Sequence, residues 1–394
     1  MIKAANLKKL FIEKFSQNPL IVRSPGRVNL IGEHTDYNEG LVLPAAINKN
    51  VYLAIAKNNT DKVRLYAIDL SDSFETTVDA IKKTDKLWPD YILGVIEQLQ
   101  LNNYAINEGF DIAFSGDIPQ GAGLSSSAAL ECATAFALST LFEFHISKLD
   151  IALLSQAAEN QFVGVNCGLM DQFASVFGKE QHLVKLDCAD YSYEYIPFKT
   201  SDIKILLLDT QVKHSLASSA YNERREQCEE GVRLISRHHP SVTSLRHATE
   251  EMLLKYVKPV DEIVYRRCSY VVAEIARLQL ACEDLKKDDF KAFGQRMFET
   301  HEGLEKQYEV SCKELDLLVQ LVKGNQYVLG ARMMGGGFGG CTINLVKADK
   351  AEEVAQQVAA AYKEQTGIEI PYYIAEINSG TSIVDLTQAS YGQV

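Results

Sequence analysis

The chain has no C-x-x-C pair among its eight cysteines, at positions 132, 167, 188, 228, 268, 282, 312 and 341. The N-terminal stretch "MIKAANLKKLFIEKFSQ" lacks the continuous apolar run of a secretory leader. Its apolar residues, Leu7, Leu10, Phe11 and Phe15, have the spacing of an amphipathic surface helix. The cysteines are therefore expected to be reduced, mostly buried thiols in a cytoplasmic protein. Basic charge is also scarce: 40 Lys and Arg stand against 52 Asp and Glu, a formal net charge of -12. That balance argues against sequence-independent nucleic-acid binding and against an anionic membrane surface, so neither partner is expected. The longest apolar run, residues 128–144, is broken by Glu131 and Glu143. It falls short of the ~20 residues of a membrane span. No tandem repeat or low-complexity linker is present.

What is there suits a soluble globular chain, with 46% hydrophobic and 23% charged residues. A length of 394 residues suggests about two to three domains. The early part is strand-rich. "VYLAIA" (51–56), "KVRLYAI" (62–68) and "FDIAFSGDIP" (110–119) read as sheet, with a helix at "DYILGVIEQLQ" (90–100). An apolar helix follows over residues 126–142, and Ser147 to Asp150 fits the capping box of another. "HLVKLD" (182–187) and "IKILLLD" (203–209) are strands. Beyond residue 210 long charged helices take over. The chain closes with a glycine-rich segment, a helix near 350–365 and the strand "IPYYIAEI". The shift near 197–203 places a boundary between closely packed domains, 1–197 and 198–394, with the last strand able to pair with either.

Four stretches carry chemical potential. "GRVNLIGEHTDYNEG" (26–40) begins as a strand-like run, Val28 to Ile31, and sets Glu33, His34 and Asp36 together with Arg27 just ahead. These groups could bind a metal, hold a polar ligand or cap a turn. "GDIPQGAGLSSSAAL" (116–130) has Gly121 and Gly123 before three serines at a helix start. Free N–H groups and the helix dipole make an anion site there, although no Walker lysine follows. The alternative is a glycine turn with serine caps. In "AENQFVGVNCGLMDQFASVFG" (158–178), Glu159 and Asp171 stand among small or apolar residues. Each is a candidate base or metal ligand, or, for Asp171, a dipole-favoured first-turn residue. In "GARMMGGGFGGCTINLV" (330–346), Gly335, Gly337 and Gly340 match G-x-G-x-x-G, but a strand follows rather than a helix. The glycines then mark backbone packed against a ligand or against the neighbouring glycine loop. "NERREQCEE" reads as an exposed salt-bridged face and His238–His239 as solvated.

Taken in order, these motifs resemble those of the GHMP small-molecule kinases. "GRVNLIGEHTDYN" is similar to the galactokinase signature, and "GLSSSAALE", "CGLMDQF", "HSLASSAYNERREQCE" and "RMMGGGFGGCT" match galactokinases as well. The resemblance spans almost the whole chain. It implies ATP-dependent phosphorylation of the C1 hydroxyl of galactose, with Mg²⁺ as cofactor, in a protein expected to be monomeric. It also implies a two-domain α+β fold: a mixed-sheet N-terminal domain with a left-handed βαβ crossover and a ferredoxin-like C-terminal domain. By the resemblance Asp171 is the catalytic base, and Arg27 orients it and neutralises phosphoryl charge. Glu33, His34, Thr35, Asp36, Gly168 and Tyr221 contact the sugar, as does Asp171. Gly121, Ala122, Gly123, Leu124, Ser125, Ser126 and Ser127 form the phosphate loop, and Trp88 lies beside adenine. Ser127 and Glu159 hold Mg²⁺, a cation satisfied by few protein oxygens.

Ser24 and Met334 stand where alanine and threonine are frequent in the family. Neither change removes a group with an assigned role. The rivals are a kinase for a related sugar (N-acetylgalactosamine, galacturonate or arabinose), a non-catalytic sugar and ATP sensor, and a dinucleotide-binding dehydrogenase. The uninterrupted "GLSSSAA" and the presence of Asp171 oppose the second, and the missing helix after the glycines opposes the third.

Overall fold

The computed structural model describes residues 4–119, 121–199, 201–213 and 217–386. The first half contains α1 (Ala4–Phe15), β1 (Leu20–Asn29), β2 (Leu41–Val42), β3 (Pro44–Lys57), β4 (Lys62–Ala67) and β5 (Asp72–Thr77). It continues through α2 (Leu87–Leu101), β6 (Phe110–Gly116), α3 (Ser126–Leu141), α4 (Lys148–Ala157), α5 (Met170–Phe177), β7 (His182–Asp187) and β8 (Tyr193–Pro197). The second half runs β9 (Ile203–Lys213), α6 (Ala217–Ser236), α7 (Glu250–Met252), α8 (Glu262–Lys286), α9 (Phe290–Gly303), α10 (Lys313–Val322), β10 (Val328–Met333), β11 (Gly339–Lys347), α11 (Ala351–Thr366), β12 (Tyr372–Ala375) and β13 (Ser382–Ile383).

The larger sheet has the order β13-β1-β3-β6-β4-β5. It is mixed: β4 and β6 pair in parallel, and its other neighbours are antiparallel. Alternation along β3 sorts its two faces. Leu53 and Ile55 face the main core, whereas Ala54 and Ala56 meet Leu7 and Phe11 of α1. The amphipathic N-terminal helix thus covers the back of the sheet with its apolar stripe. On the other face lies α3, whose near-uniform apolar surface is buried as its sequence requires. The expected capping box is present, with Ser147 Oγ accepting from the Asp150 N–H at 3.1 Å.

The second sheet is antiparallel, in the order β10-β11-β9-β12. Read from β12, this is the 4-1-3-2 order of a ferredoxin-like unit, with α6 to α10 filling its first crossover and α11 its second. The run "IKILLLD" is apolar on both faces because both are covered. Leu206 and Leu208 pack with α10 and α11, while Ile205 and Leu207 join the core of the first half. One continuous core therefore links the two halves. The chain also returns: β13 pairs with β1, Val22 opposite Ile383. Among the described residues no helix is long and apolar enough to cross a membrane.

One expected strand shifts. The strand predicted at Val28 to Ile31 is the tail of β1, which starts at Leu20 and ends at Asn29. Beyond it the pairing continues irregularly, the Leu30 N–H donating to the Leu43 carbonyl and the Leu43 N–H to the Ile31 carbonyl, while Arg332 donates to the Asn29 and Leu30 carbonyls. The α9–β10 contact is a backbone approach that only glycine allows. A Cβ on Gly294 would lie 2.1 Å from the Leu329 carbonyl oxygen, and one on Gly330 would lie 2.4 Å from the Gly294 Cα. Gly294→Ala is expected to destabilise the protein by about 1–3 kcal/mol or more through overpacking. Thermal unfolding measures this, and an unchanged melting temperature would contradict it.

Candidate active site

A bulge in the pairing of β1 with β3, between Pro25 and Arg27, turns Arg27 off the sheet. Gly26 is needed there, because a Cβ would lie 2.7 Å from the Leu124 carbonyl. The Arg27 backbone N–H donates to that same carbonyl at 3.1 Å, and Nη1 donates to the Gly123 carbonyl at 2.5 Å. The remaining guanidinium donors grip Asp171 as a fork: Nε to Oδ1 at 2.7 Å and Nη2 to Oδ2 at 2.8 Å. Burial opposes the Arg27 charge, but Asp171, Glu33 and Asp36 more than offset it and raise its pKa. Asp171 occupies the first turn of α5 and also faces the cavity. A third donor reaches it, the Ser125 hydroxyl. Ser125 has φ 57 and ψ 57, a left-handed conformation at the foot of α3.

Arg27 and Asp171 open onto a cavity of about 180 Å³, also lined by Glu33, His34, Asp36, Glu159, Gly168, Tyr221, Gly335 and Gly336. Glu33 is fixed from the other half of the molecule. Its Oε1 accepts from Arg332 Nη1 at 3.0 Å and from the Gly335 N–H at 2.8 Å. Burial would raise the Glu33 pKa, yet Arg332 and Arg27 hold it below the usual range. Both bonds fall on Oε1, so Oε2 is the oxygen left to meet a ligand. His34 is buried and its pKa is lowered to about 4, mainly by desolvation, so it is neutral at pH 7. Its ring nitrogens meet the Tyr37 hydroxyl at 2.7 Å and the Gly336 carbonyl at 3.2 Å. Asp36 is raised to about 7, first by desolvation and then by the nearby Asp171 charge. Gly168 makes room for it, since a Cβ there would sit 1.9 Å from Asp36 Oδ2. With Glu33 Oε1 and both His34 nitrogens already bonded, the "GEHTD" cluster is arranged for a polar ligand rather than a metal.

A second cavity, of about 490 Å³, adjoins the glycine loop. Trp88, Tyr91, Phe114, Leu87 and Ile118 give it an apolar wall, and Gly121, Ser126 and Ser127 line it at the start of α3. Trp88 is anchored by its indole N–H, which donates to Asp72 Oδ2 at 3.0 Å. The late glycine run closes over the early one: Gly335 approaches Gly123, and Gly340 approaches Gly121 and Ala122. The run packs against the neighbouring glycine loop, and its Gly335 and Gly336 also line the smaller cavity.

Beneath Ser127 the carboxylates crowd. Glu159 stands on a π-helical turn, residues 158–163, close enough to Ser127 for its hydroxyl to lower the carboxyl pKa. Gln172 Nε2 bridges Glu159 Oε2 at 2.7 Å and Glu131 Oε2 at 3.2 Å. Burial and the Asp171 charge raise Glu159, and burial with the Glu159 charge pushes Glu131 well above the usual range. Glu131 Oε1 and Gln172 Oε1 are buried without a partner. Excess negative charge, a serine hydroxyl and hard oxygen donors at a helix N-terminus fit a Mg²⁺ ion bound together with phosphate.

The structure thus gathers Arg27, Glu33, His34, Asp36, Glu159, Gly168, Asp171 and Tyr221 around one cavity, and Trp88, Gly121, Ser126 and Ser127 around the next. Thr35 is a correction to the expected ligand contacts. It is fully buried, and its hydroxyl is directed at the Gly32 and Leu41 carbonyls, at 2.9 and 2.6 Å, where it shapes the turn. Ala122 and Leu124 are buried as well, and Gly123 serves through its carbonyl. "NERREQCEE" is a second correction. Arg224 and Cys228 turn inward, and Arg224 donates to the Tyr308 carbonyl at 2.7 Å. Sequence reasoning passed over Arg332, Gln172 and the pairing role of Glu131. A charge inside an apolar helix was the one available signal for Glu131.

Comparison with known proteins agrees in sequence and in shape. The Galactokinase galactose-binding signature matches residues 9–57. The GHMP kinases N terminal domain matches 90–179, and the GHMP kinases C terminal matches 281–364. The chain is 42% identical to a galactokinase of Thermotoga neapolitana over 359 residues, covering 91% of this chain and 98% of the relative. It is 40% identical to the galactokinase of Fusobacterium nucleatum over 389 residues, with 96% and 99% covered. Lactococcus lactis galactokinase, solved in complex with galactose, superposes with a TM-score of 0.92 at 34% identity, covering 96% of this chain and 99% of that one. The mevalonate kinase of Methanococcus jannaschii shares the fold, with a TM-score of 0.63 at 21% identity.

Asp36 supplies a pH test. Its carboxyl is raised to about 7 in the folded protein from an ordinary 3.8. Between those values the folded state holds a proton that the unfolded state releases, so stability falls as pH rises across that window. Asp36→Asn removes this term. Its melting temperature relative to wild type is expected to climb by a few degrees between about pH 5 and about pH 8. A pH-independent difference in calorimetric scans would contradict the assignment.

Proposed function

The chain belongs to the galactokinases of the GHMP kinase family, and we propose how its residues carry out that family's reaction. The activity is ATP-dependent phosphorylation of galactose to galactose 1-phosphate. The observation that carries the residue assignment is the Arg27–Asp171 fork at the junction of a polar cavity and a glycine loop.

Galactose occupies the smaller cavity. Glu33 Oε2, Asp36, His34 and Tyr221 meet its hydroxyls, and Gly168 keeps the wall open beside Asp36. The adenine of ATP lies in the apolar cavity beside Trp88, and its phosphates follow the loop from Gly121 to Ser127 to the N-terminus of α3. The C1 hydroxyl donates a hydrogen bond to Asp171, which takes the proton as the oxygen attacks the γ-phosphorus; the bond from that phosphorus to the bridging oxygen breaks and ADP leaves. Arg27 keeps the carboxylate oriented and sets positive charge beside the transferring group, the positioning and charge stabilisation that phosphoryl transfer needs. Ser127 and Glu159 would hold Mg²⁺, with Gln172 orienting the glutamate. When bound, the ion neutralises charge on the β- and γ-phosphates.

All of these residues come from one chain, which fits a monomer. The eight cysteines are free, which fits a reducing cytoplasm. We also place the boundary between an N-terminal and a C-terminal domain at residues 197–198. The change of sheet between β8 and β9 supports it.

Purified protein with ATP, Mg²⁺ and galactose is expected to release ADP in a coupled assay, and absence of turnover at high enzyme would refute the reading. Asp171→Asn is expected to lower kcat roughly 10²–10⁴-fold while galactose still binds by calorimetry. Glu33→Gln, which keeps an acceptor for Arg332, is expected to raise the KM for galactose by roughly 10–100-fold and leave that for ATP nearly unchanged. The reverse pattern would move Glu33 to the nucleotide side.

A further inference from the structure

His34 ends a buried hydrogen-bonded row that runs from the cavity wall into the second half. Its Nδ1 lies 2.7 Å from the Tyr37 hydroxyl, which lies 2.7 Å from the Tyr308 hydroxyl, and Cys228 Sγ follows at 3.2 Å. At the opposite side of the ring Nε2 lies 3.2 Å from the Gly336 carbonyl. The row therefore joins the turn after β1 to the turn after α9 and to α6.

The proton positions along it follow from donor and acceptor chemistry. The Gly336 carbonyl only accepts, so Nε2 carries the hydrogen. In a neutral imidazole Nδ1 then holds a lone pair and must accept from Tyr37. The single Tyr37 proton is committed, so Tyr308 must donate to Tyr37 and Cys228 must donate to Tyr308. Each link has one allowed direction, and aligned chains of this kind reinforce one another in a low-dielectric interior. The frame around the row is rigid. Arg224 donates to the Tyr308 and Glu309 carbonyls at 2.7 and 3.0 Å. The His34 ring lies 4.9 Å from that of Tyr308 and 5.3 Å from that of Tyr221.

We propose that Tyr37, Tyr308 and Cys228 are positioning residues for sugar recognition, fixing the His34 ring through Nδ1 while the Gly336 carbonyl keeps the proton on Nε2 at the cavity wall. The proposal rests on the reading of that cavity as the galactose site. An entering hydroxyl oxygen competes with the Gly336 carbonyl for this one N–H. The side of the site that reads the sugar is thus supported by residues that do not touch the ligand, two of them, Tyr308 and Cys228, from the second half. Cys228, with Arg224 that braces Tyr308, lies in a segment that looked like plain charged surface.

The test is imidazole ¹⁵N NMR on ¹⁵N-histidine-labelled protein, with steady-state kinetics on the same samples. In wild type the His34 proton is expected on Nε2. Tyr308→Phe keeps the ring and deletes the donor. It is expected to leave the proton on Nε2, shift the Nδ1 resonance as the Tyr37 donor loses its own partner, and raise the KM for galactose ~3–10-fold, the scale of one net hydrogen bond, with the KM for ATP unchanged. Should that variant fail to fold, Cys228→Ala reads the same row and should shift the galactose KM in the same direction. Cys228→Ser restores a donor and should return it to the wild-type value. An Nδ1–H tautomer in wild type, or a foldable Tyr308→Phe with unaltered Nδ1 resonance and galactose KM, overturns the proposal. Wild-type protein that does not turn over galactose would instead remove the sugar reading and leave the tautomer result standing.

Discussion

The fork between Arg27 and Asp171 is the contact on which the site depends. It ties the end of β1, the first turn of α5 and, through the Gly123 carbonyl, the glycine loop before α3. Ser125 adds a bond from that loop to the same carboxylate. A guanidinium bonded at all three nitrogens is held in place, so the acceptor and the anion-binding backbone share one frame. This is how a buried charged pair contributes here. It adds little net stability once desolvation is counted, but it fixes where the hydroxyl and the phosphate must meet.

The second constraint is backbone proximity. The late glycine run lies against the early one, and Gly335 also donates to Glu33. Gly123, Gly335 and Gly340 hold positive φ where the runs meet, a backbone conformation that side chains rarely adopt. Arg332 fastens the same region by donating to the Asn29 and Leu30 carbonyls and to Glu33. Ligand recognition and phosphate binding are therefore assembled between elements of both halves, over a core the halves share. The carboxylates beneath Ser127 carry the opposite tendency. Burial and neighbouring negative charge raise the pKa of Glu159 and Glu131, and a cation arriving with the nucleotide would favour their ionised forms.

Much of this was legible in the sequence because it depends on local pattern. The apolar α3, the Ser147 cap, the period-two strands and the glycine clusters each follow from a rule that spans a few residues. The resemblance to a known family supplied the roles of the motifs, which composition alone left open. What stayed hidden depends on distant pairing. Arg332 looks like any strand arginine until its carbonyl partners some 300 residues earlier in the chain are known. Cys228 and Arg224 sit in a run of charges whose helical face toward Tyr308 is decided by packing. Thr35 stands inside the most suggestive motif, yet its hydroxyl serves the turn. The return of β13 to β1 has no local signal at all.

The central claim is that Arg27 and Asp171 act as one unit, and a double-mutant cycle on single-turnover phosphoryl transfer tests it most directly. Arg27→Lys, Asp171→Asn and the double variant would be compared with wild type at saturating ATP and galactose. If the fork is the functional element, the double variant should be no slower than the worse single variant, because either change already dismantles it. Losses that add in free energy would show two independent contributions and contradict the account.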